Sequence, residues 1–171
     1  MDNNNSKSVS VIMGTVLPII LCAVLVVLDQ LSKIAIRSGM KLNDDIDLIK
    51  GVFSIHYIEN SGMAFSMMEG MTWFFYIVTP VIVFGCIYIF VRLPRKSRLM
   101  PLVWCISVLV AGAVGNYIDR LLKKSVTDFL YFKLINFPVF NVADIYVVCS
   151  VIALILLLLF FYKEGELDGV I

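Results

Sequence analysis

The chain has 171 residues, of which 60% are hydrophobic and 16% are charged, with a formal net charge of +1. Soluble domains are nearer half apolar and a quarter charged, so this composition excludes an ordinary soluble domain. The near-neutral charge gives no basis for expecting nucleic-acid binding. All four cysteines lie inside apolar stretches, where we expect buried thiols rather than a disulfide framework.

The hydrophobic residues form four blocks without acidic, basic or histidine side chains, at 11–28, 71–91, 99–118 and 145–162. Each is close to the roughly 20 residues that a helix needs to cross a bilayer. The first block exceeds the apolar region of a cleaved signal peptide, about 7–15 residues, and no small-x-small site follows it. We therefore expect an all-α membrane protein, one domain over 1–171, with four transmembrane helices at about 11–28, 71–91, 99–118 and 141–162.

A short basic segment between the second and third blocks sets the expected orientation. This segment, "RLPRKSR", holds three arginines and one lysine. By the positive-inside rule it lies in the cytoplasm. Four helices then place both chain termini in the cytoplasm and the segments 29–70 and 119–140 outside it.

The first outer segment is too long for a plain connector. Within it, "GVFSIHYIEN" alternates, with Phe53, Ile55 and Tyr57 on one face. Such alternation predicts one or two strands at the membrane surface. The preceding "LNDDID" is interpreted as a polar turn. The fold prediction therefore includes a small extracytoplasmic β element.

Polar side chains gather at the outer ends of the predicted helices. Ionisable groups at membrane depth are costly and indicate a functional site. The residues concerned are Asp29, Asn116, Asp119, Arg120, Asn141 and Asp144, with Asp128 in the link between the last two helices.

Each of these motifs also has an ordinary structural interpretation. Asp29 and Lys33 have the i, i+4 spacing of a helical ion pair. Asn141 is a strong N-cap, and Asp144 then takes the position of a capping-box acid. Asp128, in "SVTDFLYF", could be a solvated loop aspartate. Taken singly, the motifs leave a structural role open.

The chemistry that the residues favour uses carboxyl groups. One histidine and no HExxH motif give no zinc site, and no glycine-rich phosphate loop is present, so we expect neither metal nor cofactor. Two close acids share a proton, so that one can activate water while the other donates to the scissile bond. Asp128 and Asp144 are the best candidate pair. The alternative is a small membrane transporter or proton-relay subunit that uses Asp29, Asp119 and Asp144.

Five motifs, in chain order, resemble those of the bacterial lipoprotein signal peptidases, also called type II signal peptidases. They are "DQLSK", "NSGMAFS", "GNYIDR", "VTDF" and "FNVAD". The match runs from about residue 14 to residue 162. The resemblance implies an intramembrane aspartic endopeptidase that removes the signal peptide from a diacylglyceryl-modified prolipoprotein, cutting before the lipidated cysteine.

The resemblance also implies roles for individual residues. Asp128 and Asp144 match the catalytic dyad. Supporting or substrate-binding positions are matched by Asn116, Asp119, Arg120, Asn141, Asn60, Gly62, Asp29 and Lys33. Three positions depart from the family pattern. Met63 stands where alanine is frequent, Thr127 where valine is frequent, and Ile145 where a small residue is frequent. These departures bear on substrate fit and remove no catalytic group.

The cellular setting follows from the same resemblance. It implies a multi-pass protein of the bacterial cytoplasmic membrane, in contact with membrane lipid, with its active site and an outer β cradle at the extracytoplasmic face. The expected inhibitor is globomycin. We expect the protein to act as a monomer.

Overall fold

The computed structural model describes residues 9–62, 72–163 and 165–167. In this part of the chain the long helices are α1 (Leu17–Gly39), α2 (Thr72–Arg92), α3 (Met100–Lys123) and α4 (Val142–Leu156). A π-helical turn, Ile12–Val16, precedes α1, and a second one, Leu157–Phe161, continues α4. These four helical segments are long and apolar enough to cross a membrane. The predicted all-α membrane fold is confirmed.

Burial in this bundle follows the logic of a protein surrounded by lipid. Large apolar side chains point outwards along the helices, for example Phe84 on α2 and Leu159 in the π-helical turn after α4. The most buried large side chains include the polar residues Lys33, Asp119 and Asn141. Intramembrane polar groups normally face the bundle interior in this way.

The strands lie at one end of the bundle, which we call the sheet end. Among the described residues they are β1 (Asp45–Ile49), β2 (Phe53–Asn60) and β3 (Val126–Tyr131), in one antiparallel sheet of order β1-β2-β3. Helices α1 and α3 contact β3 there, and Asn141, which caps α4, hydrogen-bonds to Asp128 in β3. The predicted small β element is therefore present.

The interpretation of "LNDDID" as a turn was only partly right. The turn is confined to Leu42 and Asn43, and Asn43 has a positive φ of 68°. Asp45 and Asp47 belong to β1 instead, although aspartate is depleted in strands. Lys133 forms ion pairs with both of them, which reduces the repulsion between the two carboxylates.

Strict alternation along β2 was also wrong. The register of β2 against β3 shifts between residues 55 and 58, which marks a β-bulge. Ser54 and Tyr57 are consequently both buried, although alternation would place them on opposite faces. Beyond the bulge, the side chain of Asn60 lies on the same side as that of Asp128. The bulge therefore sets which β2 residues face the candidate site.

Helix α1 continues well past the predicted end at residue 28, to Gly39. The prediction stopped at the first charged residue, Asp29. Asp29 and Lys33 are in fact fully buried against the rest of the bundle and pair with each other at 2.9 Å. Their charges are neutralised inside the protein, so they do not end the helix.

The loop between α2 and α3 fastens the opposite end of the bundle. The Nε of Arg95 donates to Thr15 Oγ1 at 3.0 Å, ahead of α1. The guanidinium of Arg98 lies 4.0 Å from the ring centroid of Phe161 and 3.1 Å from Glu166 Oε2. One short loop thus contacts the segments that precede α1 and follow α4.

Two glycines let the central helix α3 approach its neighbours. A Cβ on Gly112 would lie 2.5 Å from the carbonyl oxygen of Ala143 in α4. A Cβ on Gly115 would lie 2.5 Å from Asp29 Oδ2 in α1. Real Cβ atoms do not come so close to other atoms, so a larger residue at position 112 would have to move the backbone of α4. At position 115 it would displace the carboxylate of Asp29.

The variant Gly112→Ala is expected to lower stability, because the added methyl group would push α4 away from α3. Overpacking of this kind costs about 1–3 kcal/mol. Thermal unfolding in detergent measures the loss. Gly85→Ala in α2 is the matched control, because a Cβ there has no neighbour within 4 Å. Equal losses in the two variants would contradict the close-approach argument.

Candidate active site

The two acids of the predicted pair line one cavity of about 630 Å³ at the sheet end. Strand β3 supplies Asp128, which is only 3% exposed, and the first turn of α4 supplies Asp144, which is half-buried. Asn141 contacts both acids. Its Nδ2 donates to Asp128 Oδ1 at 2.6 Å, and its backbone N–H donates to Asp144 Oδ2 at 3.0 Å. The fold therefore brings together two carboxyl groups from separate elements.

The helix-capping interpretation of Asn141 and Asp144 holds as well. Asp144 N–H donates to Asn141 Oδ1 at 3.0 Å, which completes a reciprocal capping box. The cap uses only Asp144 Oδ2. The other oxygen, Oδ1, accepts from Asn116 Nδ2 at 2.7 Å. The start of α4 thus fixes Asp144 without occupying its whole carboxyl group.

Asn60 points an N–H group at Asp128. Its Oδ1 accepts from the backbone N–H of Gly62 at 2.9 Å, and its Nδ2 donates to Asp128 Oδ2 at 2.8 Å. A backbone N–H can only donate, so the orientation of this side-chain amide follows from its partners. Both oxygens of Asp128 consequently accept an amide N–H.

Lys33 fixes the amide of Asn116 in the same manner. The ammonium donates to Asn116 Oδ1 at 2.8 Å, and Asn141 Nδ2 donates to the same oxygen at 3.0 Å. An ammonium has no acceptor atom, so Asn116 must turn its Nδ2 towards Asp144. The orientation of the Asn116 amide therefore follows from a buried charge that lies outside the cavity.

A buried charged cluster lies behind the amides. The ammonium of Lys33 is 2.9 Å from Asp29 Oδ2 and 3.6 Å from Asp119 Oδ2. Asp29 Oδ1 accepts the backbone N–H of Ala143 in α4 at 3.1 Å. Asp119 Oδ2 accepts the backbone N–H of Thr127 in β3 at 3.0 Å. Each acid thus holds the backbone next to one member of the candidate pair.

Arg120 presents a cation at the cavity wall. Its guanidinium lies 4.2 Å from the ring centroid of Phe75 in α2, and its Nη1 donates to the Asn116 carbonyl at 3.4 Å. Its own carbonyl accepts from the Tyr76 hydroxyl at 2.6 Å. The contacts with Phe75 and Tyr76 tie the start of α2 to the polar part of the cavity.

Apolar side chains form the rest of the cavity wall. Most come from α2, from the segment before α4 and from α4 itself, and they include Phe75, Phe137, Phe140, Ile145, Val147 and Val148. Ile145, a departure from the family pattern, lies beside Asp144 in this wall. Met63, another departure, lies outside the described residues. The cavity therefore combines a polar end with apolar walls.

All ten predicted site residues lie in these connected groups. The contacts among Arg37, Glu59 and the hydroxyl of Thr127 were not predicted. Arg37 Nη1 lies 3.7 Å from Asp119 Oδ1 and donates to Thr127 Oγ1 at 3.0 Å. Its position, one helical turn after Lys33, was a usable signal. Glu59 and the hydroxyl of Thr127 gave no such signal, because their meeting depends on the register of β2 against β3.

Burial and the neighbouring Asp144 raise the pKa of Asp128 to about 7, from an ordinary value of 3.8. The hydrogen bonds from Asn60 and Asn141 act in the opposite direction, since they favour the ionised form. Asp128 therefore holds a proton at pH values where an exposed aspartate has lost it.

This raised pKa predicts how stability depends on pH. A folded-state pKa above the unfolded value favours the folded state at low pH, and this contribution is lost as pH rises from about 4 through about 7. Asp128→Asn removes the titrating group. Between about pH 5 and about pH 8, we expect the unchanged protein to lose this contribution and the variant to have none to lose. The difference in thermal midpoint, variant minus unchanged protein, should therefore increase over this range. A constant difference over this range would contradict the raised pKa.

The fold and the site define a multi-pass helical membrane protein with a cavity lined by two carboxyl groups. The sequence model of signal peptidase (SPase) II matches residues 21–160, most of the chain. The chain belongs to the signal peptidase II family, as the resemblance predicted, and is therefore a bacterial membrane protease.

Individual relatives match over nearly their full length. The lipoprotein signal peptidase of Brevibacillus brevis is 40% identical over 137 residues, which cover 80% of this chain and 91% of the relative. That of Symbiobacterium thermophilum is 40% identical over 151 residues, covering 87% and 98%. A solved structure of a bacterial membrane enzyme superposes with a TM-score of 0.78 at 32% identity, covering 89% of this chain and 94% of the other.

Proposed function

We propose that the chain is an aspartic endopeptidase that removes the signal peptide from diacylglyceryl-modified prolipoproteins by cutting before the lipidated cysteine. Membership of the signal peptidase II family supports the removal of signal peptides from prolipoproteins. The observation that carries the aspartic mechanism is that Asp128 and Asp144 line one cavity and both hydrogen-bond to Asn141. Membership of a protease family argues against the proton-relay alternative.

In the proposed reaction the two carboxyl groups share one proton. The ionised carboxylate takes a proton from water, and the water oxygen attacks the scissile carbonyl carbon. The protonated carboxyl group gives its proton to the amide nitrogen as the carbon–nitrogen bond breaks. The products are the signal peptide with a new carboxyl terminus and a lipoprotein with the lipidated cysteine at its amino terminus. The amide donors from Asn60, Asn116 and Asn141 hold the carboxyl oxygens in place.

The proposed substrate suits the two kinds of cavity wall. The peptide bond would lie at the polar end, beside Asp128 and Asp144. The apolar side chains of Phe75, Val147 and Val148 suit a lipidated cysteine and the residues near it. Acyl chains can remain in the bilayer beside α2 and α4.

The orientation is part of the proposal. The basic loop at 92–98 would be cytoplasmic, together with both termini, and the sheet end would be extracytoplasmic. We further propose that the chain is one peptidase domain, acts as a monomer in the cytoplasmic membrane and is inhibited by globomycin.

The decisive experiment is cleavage of a purified prolipoprotein by the purified protein in detergent, with mass spectrometry of the products. A diacylglyceryl-modified substrate should be cut before its cysteine, and globomycin should block the reaction. The unmodified prolipoprotein is the matched control and should be cut much more slowly. Absence of cleavage, or equal cleavage of both substrates, would refute the proposal.

A further inference from the structure

A second polar cluster lies on the face of the sheet opposite Asp128. Glu59 in β2 and Thr127 in β3 face each other directly in the strand register. The Thr127 hydroxyl donates to Glu59 Oε1 at 3.3 Å and accepts from Arg37 Nη1 at 3.0 Å. Because neighbouring strand residues point to opposite faces, this cluster lies directly behind the acid at position 128. It links α1, β2 and β3 through one hydroxyl group.

Glu59 is the centre of this cluster. It also accepts hydrogen bonds from the hydroxyls of Tyr57, at 2.7 Å, and Ser125, and Lys123 Nζ lies 3.6 Å from its Oε1. Burial acts to raise the pKa of Glu59, but these hydrogen bonds and Lys123 outweigh it and hold the pKa below its ordinary value. Glu59 is therefore an ionised acceptor, and charge-assisted hydrogen bonds to it are strong.

Thr127 carries the effect of this cluster to the candidate dyad. Its side chain is fully buried, and its backbone N–H donates to Asp119. The hydroxyl and the backbone are both held, so the strand cannot slide or rotate freely at this point. The next residue along that strand is Asp128. A valine at position 127 would fill the same space without these two hydrogen bonds.

We propose that Glu59, Thr127 and Arg37 are positioning residues that set the place of Asp128 from the far side of the sheet. This inference rests on the proposed function of Asp128 as a member of the catalytic pair. It assigns a role to Thr127, which the family comparison marked only as a departure. A misplacement of about 1 Å can cost on the order of 100-fold in rate, so a small strand movement suffices for a large effect.

Thr127→Val is the direct test, because the protein is expected to fold. Glu59 keeps Tyr57, Ser125 and Lys123, and Arg37 keeps Asp119 at 3.7 Å. We expect kcat for the diacylglyceryl-modified prolipoprotein to fall on the order of tenfold or more, while KM stays within about twofold. Thr127→Ser restores the hydroxyl and should recover most of the kcat.

Two further variants separate positioning from general support. Tyr57→Phe also removes a hydrogen bond to Glu59 Oε1. Tyr57 lies in β2 and is not the residue next to Asp128, so this variant should leave kcat near normal. Glu59→Gln combined with Thr127→Val should cost little more than Thr127→Val alone, because residues that act as one unit are not additive.

The possible outcomes are distinct. A normal kcat for Thr127→Val, no recovery with serine, or equal losses in Thr127→Val and Tyr57→Phe would overturn the positioning role while leaving the proposed function intact. If the unchanged protein fails to cut the lipidated substrate, the proposed function fails and the positioning role fails with it.

Discussion

Asp128→Asn and Asp144→Asn are each expected to reduce prolipoprotein cleavage by about 10²- to 10⁴-fold, the contribution typical of a general acid or base. An amide has nearly the shape of a carboxyl group but cannot exchange a proton with water or with the leaving amine. In Asp128→Asn, the single amide oxygen can also satisfy only one of the two donors, Asn60 and Asn141. Initial rates on the diacylglyceryl-modified substrate measure the loss.

The control for both variants is Asp45→Asn. Asp45 is an exposed aspartate in β1, on the same sheet but away from the cavity. Its removal should leave the rate close to normal, and thermal unfolding should show that all three variants are folded. A near-normal rate for either dyad variant would rule out the proposed acid–base pair.

Lys33→Met is expected to cause the largest loss of folded protein. Methionine fills similar space but leaves the buried Asp29 without its cationic partner and Asp119 with Arg37 alone. Removal of one partner from a buried ion pair costs about 3–5 kcal/mol. The amount of protein in the membrane and the thermal midpoint in detergent should both fall. Lys50→Met, at an exposed lysine before β2, is the matched control and should behave normally.

A second substitution separates the charge of Lys33 from its effect on the amides. Lys33→Met with Asp29→Asn removes one charge of each sign, and the amide oxygen introduced at position 29 can still accept from the Ala143 backbone. We expect folded protein to recover in part, whereas cleavage stays low because nothing donates to Asn116 Oδ1 from position 33. Normal accumulation of the single variant would contradict the importance of the buried pair.

Sequence patterns predicted those parts of the molecule that depend on composition and local spacing. The apolar blocks predicted the membrane-spanning helices, and Asn141 with Asp144 predicted the capping box. The end of α1 was missed, since Asp29 ends an apolar block although its charge is neutralised by Lys33. The protease family was predicted from five motifs in chain order, because each motif taken singly also had an ordinary structural interpretation.

Contacts between distant segments could not be predicted in this way. The meeting of Asp128 with Asn60 depends on the bulge in β2, because a shift of one residue exchanges the two faces of a strand. The cluster of Glu59, Thr127 and Arg37 depends on the same register and on the extra length of α1. The sequence supplied the chemical groups, and long-range pairing determined which of them meet.

The pairing of Asp29 with Lys33 inside one helix has a consequence for biosynthesis. The two residues are one turn apart in α1, so their ion pair can form as soon as this helix does, before α3 has been translated. The nascent segment then enters the bilayer without a net charge from these side chains, which reduces the cost of insertion. Asp119 arrives later with α3 and finds Lys33 and Arg37 already in place. The order of the helices along the chain thus provides Asp119 with two cationic partners as soon as α3 packs against α1.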